Sequence, residues 1–389
     1  MDIRPTLTGP RILSRETAPV QPLPTCYPPP RVDRRRTCDL PRDRLARAGF
    51  IVVAIVGGLA LYGLGGGGGF YHRLVAAPFA PAASAPYYRE SLLHVGLAHA
   101  LGLAGSLLAF RVFVLSFFWL GLVRLVTAAA RRLSLADVAL VLAVAVTHPT
   151  AMIAHAWTCH PDALTYALTL ALLFARRPAF IFSIAALGAW NHLAMWLVVC
   201  TSALVLWWTF AEPRFRPRAF ALGAGLLGGV VTCKLALHLC GITIAEDRFA
   251  AAAAHPLPVL LGYWTGPGWP LLYTLAFAHL VWLPALLLGL RRLAPRAALG
   301  LVVTQALALG ATFFTEDTTR VFAFLAGGPL LYALVRALEV PAPHRPAALR
   351  PLVLAGVLLT LAAPRGFAWK GRLHDLEASR AHLRALLSR

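Results

Sequence analysis

From Ala48 onward the sequence is a succession of apolar runs joined by short polar stretches, several of them close to bilayer-spanning length. Crossing a hydrocarbon core as a helix takes about 20 apolar residues. With 59% of its 389 residues hydrophobic and 13% charged, a soluble domain could not cover its own surface. The runs are continuous, without the period-two alternation of an outer-membrane barrel. The expected fold class is therefore all-α: a polytopic transmembrane helical bundle of about 9–11 spans, with interfacial or re-entrant helices.

Residues 1–46, rich in proline and arginine with a basic knot at Arg34-Arg35-Arg36, read as a disordered cytoplasmic tail. A transmembrane domain is expected over 47–364 and an amphipathic basic helix within 365–389. The first span, Ala48 to Leu64, ends in five glycines (Gly65 to Gly69) that no helix holds cheaply. An interfacial or re-entrant helix from Leu92 precedes one span ending before Arg131-Arg132. Spans then follow at Asp137 to Thr147 (toward Ile153) and Pro161 to Ala175. The apolar stretch Ala179 to Phe210 has basic flanks on both sides, so it must cross an even number of times. It reads as a hairpin of two short helices with Asn191-His192 near the tip. Further spans are expected at Phe220 to Ile244, Pro270 to Leu290, Ala297 to Phe314, Val321 to Leu338 and Pro351 to Ala363, with Leu257 to Trp269 re-entrant. Leu373 to Leu387 reads as an amphipathic surface helix, and the side on which it lies stays open.

The formal net charge is +20, carried almost wholly by arginine, since lysine occurs only at Lys234 and Lys370. The arginines sit in the tails and at helix ends, which fits membrane orientation and anionic headgroups rather than nucleic acid. The six cysteines show no paired spacing. No cleavable signal peptide is recognisable ahead of the first span. Placing the basic joints in the cytoplasm puts the N-terminus there too. It leaves the other joints outside a cytoplasmic (inner) membrane, and six of the eight acids between Phe70 and Leu338 fall on those joints. Ionisable groups gathered at one face of a membrane protein are costly and usually functional.

Each candidate has two readings. Asp162, after His160-Pro161, either complements a helix dipole or acts as a general base. Glu90, the one carboxylate of the first external loop, is the second candidate base; Arg89 and a tyrosine pair beside it suit an interfacial anchor equally. Asp317 and Arg320 are three apart, giving an ion pair or, alternatively, a phosphate contact from Arg320 with Asp317 on a metal or hydroxyl. Asn191 and His192 are helix-packing groups or substrate contacts. Lys234 is a snorkelling cation or a phosphate contact for a lipid carrier. A zinc site from His155, Cys159 and His160 lacks any recognised spacing, so no metal site is assigned. Whether a divalent metal joins the carboxylates is left open.

Three pieces, Gly69-Phe70-Tyr71-His72-Arg73, Tyr88-Arg89-Glu90-Ser-Leu-Leu and Pro161-Asp162-Ala163, resemble the loop entry, the arginine beside an interfacial helix and the span-opening aspartate of the GT-C class of membrane glycosyltransferases and their small bacterial relatives. The likeness covers residues 48 to 200 loosely and the Asp317 to Arg320 piece more loosely. Where such relatives carry an aspartate ahead of the aromatic pair, this chain has glycine. In that class the acid of this loop is the usual base, so the resemblance leaves the role to Asp162 or Glu90. It implies a transferase moving a sugar from a polyprenyl-phosphate carrier on the extracytoplasmic face. Asp162 and Glu90 would be catalytic, while Arg320, Arg89, Lys234, His192, Asn191, His160 and Asp317 would bind substrate. The expected partners are membrane lipid and the lipid-linked sugar, with no nucleic acid. The competing classes are a transporter or flippase of a lipid-linked or anionic solute, to which broken helices at Asn191-His192 and Gly266-Pro267-Gly268 are suited, and a non-catalytic membrane partner.

Overall fold

The computed structural model describes residues 41–245, 295–315, 317–341, 344–362, 366–369 and 372–388, with isolated positions between 283 and 290. Positions 1–40, Glu316, the Glu246-Asp247-Arg248 joint with His255, Gly266-Pro267-Gly268 and nearly all of the expected segments from Leu257 to Leu290 lie outside the described residues. The chain is an all-α polytopic bundle. Its helices are α1 (Pro41–Tyr62), α2 (Gly69–Val75), α3 (Leu92–Ala100), α4 (Leu107–Ala130), α5 (Leu135–Thr147), α6 (Pro149–Ala156), α7 (Asp162–Leu173), α8 (Pro178–Thr209), α9 (Phe215–Leu239), α10 (Pro295–Ala311), α11 (Thr318–Leu338), α12 (Leu349–Ala362) and α13 (Glu377–Leu387). Two short pairs complete it: β1 (Ala82–Ala85) parallel to β2 (Ile242–Ile244), and the hairpin of β3 (Gly366–Trp369) and β4 (Arg372–Asp375).

Among the described residues, α1, α4, α8, α9 and α11 are long and apolar enough to cross a membrane, and α5 with α6 makes a sixth candidate bent by 50°. α7, α10 and α12 are shorter apolar helices. The α5–α6 bend falls at His148-Pro149, where proline occupies the first helical position and the His148 ring caps the new helix by accepting from the Thr150 amide. Large apolar side chains face outward on α1 (Val52, Val53, Val56), α9 (Phe220, Leu227, Val231, Leu235, Leu239) and α12 (Leu354, Leu358, Leu359). A belt of this kind is what lipid covers. α11 is the opposite case, buried on nearly every face, and it forms the axis of the bundle. Hydroxyls inside the helices bond back to carbonyls one turn earlier, as Thr147 does to Ala143, Thr169 to Thr165 and Thr360 to Gly356. Bonding of this kind satisfies these donors in apolar surroundings.

The 32 residues of α8 are not one rod. His192 leaves helical geometry (φ −161°, ψ 81°), and the Trp196 indole donates to the Ala185 carbonyl eleven positions back at 2.9 Å. A straight helix separates such positions by about 16 Å, so the chain must fold back. Both ends of α8 accordingly lie at one end of the bundle, with the Trp207 indole on the Leu173 carbonyl. The expected hairpin with Asn191-His192 at its tip is present. Its tight packing on α9 depends on Gly225 and Gly229, where a Cβ would meet the Phe182 and Ala186 carbonyls at 2.4 and 2.6 Å. This small-xxx-small spacing lets two helix backbones touch.

The joints sort as the charges suggested. One end gathers Arg132 with Glu339, Arg336 with Glu339 and Glu212, Arg218 with Glu212, and Arg345 and Arg350 with Asp137. The other end gathers the α1–α4 connection, the α6–α7 joint and the start of α11. Two boundaries differ from expectation, at the first helix and at the last. α1 begins at Pro41, so residues 41–46 belong to it rather than to a tail. α4, capped by Ser106, ends at Ala130, before Arg131-Arg132 as expected. The C-terminal helix starts at Glu377, because 372–375 pair with 366–369 as strands instead. α13 docks at the end opposite the basic joints, where the Leu64 amide donates to the Ser379 carbonyl and Arg380 to the Leu61 carbonyl.

Candidate functional site

The glycine run has a second role besides ending α1. It lies along the backbone of 155–160: Gly65 N donates to His155 O, Gly67 N to Ala156 O and Cys159 N to Gly67 O, at 2.8 to 3.2 Å. A Cβ on Gly65 would sit 2.3 Å from the Ala156 carbonyl, and one on Gly68 (φ +82°) 2.2 Å from the His160 ring. Only glycine permits this approach. The joint is thereby held rigid, and it presents His160 and then Asp162 as the first residue of α7. The tip of the α8 hairpin closes behind it, Asn191 donating to the Pro161 carbonyl (2.8 Å) and the Thr165 hydroxyl (2.9 Å).

Arg320, in the first turn of α11, reaches into this joint. Its Nη1 donates to Asp162 Oδ2 at 2.9 Å and to His160 Nδ1 at 2.6 Å, and its Nη2 donates to Asp317 Oδ2 at 2.7 Å. All four residues are buried, Asp162 to 1% exposure and Arg320 to 6%. Because a guanidinium only donates, His160 Nδ1 must accept, so the neutral ring carries its proton on Nε2. Burial, reinforced by the Arg320 charge, holds the His160 imidazole well below its usual range. Trp157, Tyr71 and Phe70 surround the ring at centroid distances of 4.7, 5.1 and 5.6 Å, and Tyr88 lies against both Phe70 and Tyr71. Arg320 stacks on Trp157 at 5.6 Å. His94 packs on Tyr71, and burial pushes it down to about 3. Burial also raises the Tyr71 phenol.

The carboxylates of the two ends differ in one respect. At the basic end both oxygens of Asp137, Glu212 and Glu339 accept hydrogen bonds. At the other end Asp162 Oδ1 and Asp317 Oδ1 are buried without a partner among the described residues, as is His160 Nε2. Buried polar atoms are normally paired, so unpaired ones call for a reason.

Four expected site residues thus converge: His160, Asp162, Asp317 and Arg320. Asn191 lies behind them, fully buried, and His192 marks the hairpin break. Glu90 is elsewhere, paired with Lys234, and among the described residues no hydrogen bond or ion pair joins it to the cluster. Arg89 folds back onto its own loop, its Nη2 donating to the Pro78 and Ala80 carbonyls. Arg320 bridges two carboxylates through Nη1 and Nη2, and its Nε has no partner among the described residues. The same guanidinium stands between the two aspartates, and among the described residues no three His, Cys, Asp or Glu side chains are grouped to hold a metal. Cys159 is a free, buried thiol beside Gly67. Residue-type reasoning assigned no role in the site walls to Trp157, Phe70, Tyr71 and Tyr88; Phe70, Tyr71 and Tyr88 were conspicuous only within the resemblance pieces, and Trp157 only by its place beside His160.

No protein-family model matches the chain. No curated protein matches it either. Among solved structures it is similar to the arabinofuranosyltransferase AftD from mycobacteria, determined by single-particle cryo-electron microscopy, at 16% identity and a TM-score of 0.44 over 88% of this chain and 27% of that one. The chain therefore spans about a quarter of the length of the structure it matches.

Proposed function

We propose that the chain is a membrane-embedded transferase that moves a sugar from a polyprenyl-phosphate carrier to an acceptor hydroxyl, with Asp162 as the general base. The observation that carries this reading is the unpartnered Asp162 Oδ1, buried while its sister oxygen is held by Arg320. A base needs one oxygen fixed for aim and the other available for a proton. Asp162 Oδ1 takes the acceptor's hydroxyl proton as the acceptor oxygen bonds to the anomeric carbon. The bond from that carbon to the carrier phosphate breaks, and the polyprenyl phosphate leaves with the electron pair. Asp317 balances Arg320 and offers a second acceptor oxygen to a sugar hydroxyl, while Trp157, Tyr71 and Phe70 supply flat apolar walls. Lys234, half-exposed beside the lipid-facing side of α9, takes the carrier phosphate, with Glu90 as its counter-ion. On this reading the site end faces away from the cytoplasm of an inner membrane and the N-terminus lies inside, because the arginine-rich joints gather at the opposite end.

The test is transfer from a polyprenyl-phosphate-linked sugar by the purified protein in lipid. Asp162→Asn should lower turnover by about 10²- to 10⁴-fold, the range of a general base, and Glu90→Gln should leave turnover within a few-fold. Undiminished transfer by a folded Asp162→Asn protein would falsify the mechanism. Solute uptake coupled to an ion gradient would put a carrier in its place.

A further inference from the structure

The carboxylates of the basic end do not take up all of its arginines. Among the described residues Glu212 pairs with Arg218 and Arg336, Glu339 with Arg132 and Arg336, and Asp137 with Arg345 and Arg350. Arg177, Arg214 and Arg216 are exposed, and among the described residues no hydrogen bond or ion pair holds their side chains. The packing of α8 on α9 brings the three together. Gly225 lies against the Phe182 carbonyl and Gly229 against the Ala186 carbonyl. Both contacts advance by one helical turn in the same sense, so the first arm of α8 runs parallel to α9. In that register Ala175 is level with Arg218, which donates to its carbonyl, and Arg177 is level with Phe220. Arg216 and Arg214 continue about 6–9 Å further along the same axis. Two helices thus begin side by side, each with an arginine at its N-cap and no side-chain cap. Positive charge there opposes the helix dipole, so the arrangement is unfavourable until an anion covers it. The flanking surface is aromatic: Trp208, on the last turn of α8, is 63% exposed and Phe220 is 78% exposed. Tryptophan in that position belongs at headgroup depth.

We propose that this corner is a binding site for an anionic phospholipid, its headgroup phosphate on Arg177, Arg214 and Arg216 and its acyl chains along Phe220 and Trp208. Charge and position together select the occupant. The arginines want an anion, and the exposed aromatics beside them want an apolar cover, which a lipid supplies and a soluble anion does not. The corner lies at the end opposite the Asp162 cluster, so the inference does not rest on the transferase reading.

Native mass spectrometry of the purified full-length protein, released from micelles that contain either phosphatidylglycerol or phosphatidylcholine, counts the lipids that stay bound. Phosphatidylglycerol should be retained about tenfold or more tightly than phosphatidylcholine. Each arginine near an anionic surface strengthens binding roughly fivefold, so the triple variant Arg177→Gln, Arg214→Gln, Arg216→Gln should weaken phosphatidylglycerol retention by about 10²-fold. A second triple variant, Arg44→Gln, Arg124→Gln, Arg131→Gln, removes the same charge from α1 and α4 and should stay within about twofold of the parent. All six side chains are exposed, so neither variant disturbs the packing of the bundle. If the two variants lose phosphatidylglycerol alike, the attraction is that of the whole basic end. If neither loses it, the corner holds no lipid. If inorganic phosphate displaces the lipid, the arginines serve a soluble anion. Each of these three results overturns the proposal.

Discussion

Arg320→Met tests whether the cluster at the start of α11 is held by charge. The methionine keeps much of the volume and removes all three donors, at 2.6, 2.7 and 2.9 Å. At an effective dielectric of about 20, each arginine–carboxylate contact is worth about 6 kcal/mol of gross attraction. Desolvating the ions cancels much of that, several kcal/mol for each. What remains on removing one partner from a buried group is a loss of about 3–5 kcal/mol, because two carboxylates are left buried without a counter-ion. Such a pair relieves itself by sharing a proton, so the loss should be larger at pH 8 than at pH 5. Unfolding in mixed detergent micelles, measured at both pH values, gives the two differences directly. Replacing Asp162 and Asp317 by asparagine in the same protein should recover most of the loss. A single Arg320→Met variant within about 1 kcal/mol of the parent at pH 8 would refute the reasoning, since the cluster would then carry no charge worth compensating.

The parent protein should respond to pH in the opposite direction. His160 and His94 are held neutral in the folded state with imidazoles well below the ordinary value, so the unfolded chain binds more protons below about pH 6.5. Their contribution is complete above that value and is lost as pH falls, at up to about 1.4 kcal/mol per unit for each imidazole; His94→Phe should flatten the acid slope of a melting-temperature series. Gly68→Ala forces a side chain onto a left-handed backbone against the His160 ring. It should cost about 1–3 kcal/mol and depress transfer more than Gly69→Ala, where a Cβ meets nothing within 4 Å. Gly229→Leu should separate α9 from the α8 hairpin, lowering the melting temperature while Gly223→Leu, which faces open space, leaves it unchanged.

The sequence carried the helical class, the segregation of charge and the α8 hairpin, because each follows from hydropathy and basic flanks read locally. Arg176-Arg177 before the apolar run and Arg214 to Arg218 after it are enough to require an even number of crossings. It also identified His160, Asp162, Asp317 and Arg320, since ionisable residues beside apolar runs are conspicuous. It could not tell which would meet. Glu90, the second candidate after Asp162, is held by Lys234, 144 positions away. Arg89 and Arg320 are alike as letters, yet one closes its own loop and the other bridges two carboxylates. The glycine run read as a helix breaker; that it cradles residues 155–160 depends on backbone approach, which leaves no pattern in side-chain type. The end at which α13 lies was likewise undecidable from its own charge, because its docking rests on backbone groups of Leu61 and Leu64.

The contrast between Asp137 and Asp162 separates support from chemistry within one molecule. Both are buried carboxylates near the start of an apolar helix. Asp137 accepts from Ser134, Arg345 and Arg350 on its two oxygens, so Asp137→Asn strands Arg345, which is only 11% exposed. With Arg350 half in solvent, the loss should be about 2–3 kcal/mol, below the range for a fully buried pair, and transfer per folded molecule should not change. Asp162→Asn does the reverse. Arg320 keeps Asp317 at 2.7 Å, the cluster moves from a surplus negative charge to balance, and stability should stay within about 1 kcal/mol of the parent, yet transfer should be lost. Unfolding curves and transfer rates on the two variants give four numbers. If the two lose stability alike and neither alters transfer, the unpartnered oxygen on Asp162 has no chemical role, and the cluster only ties α7 to α11.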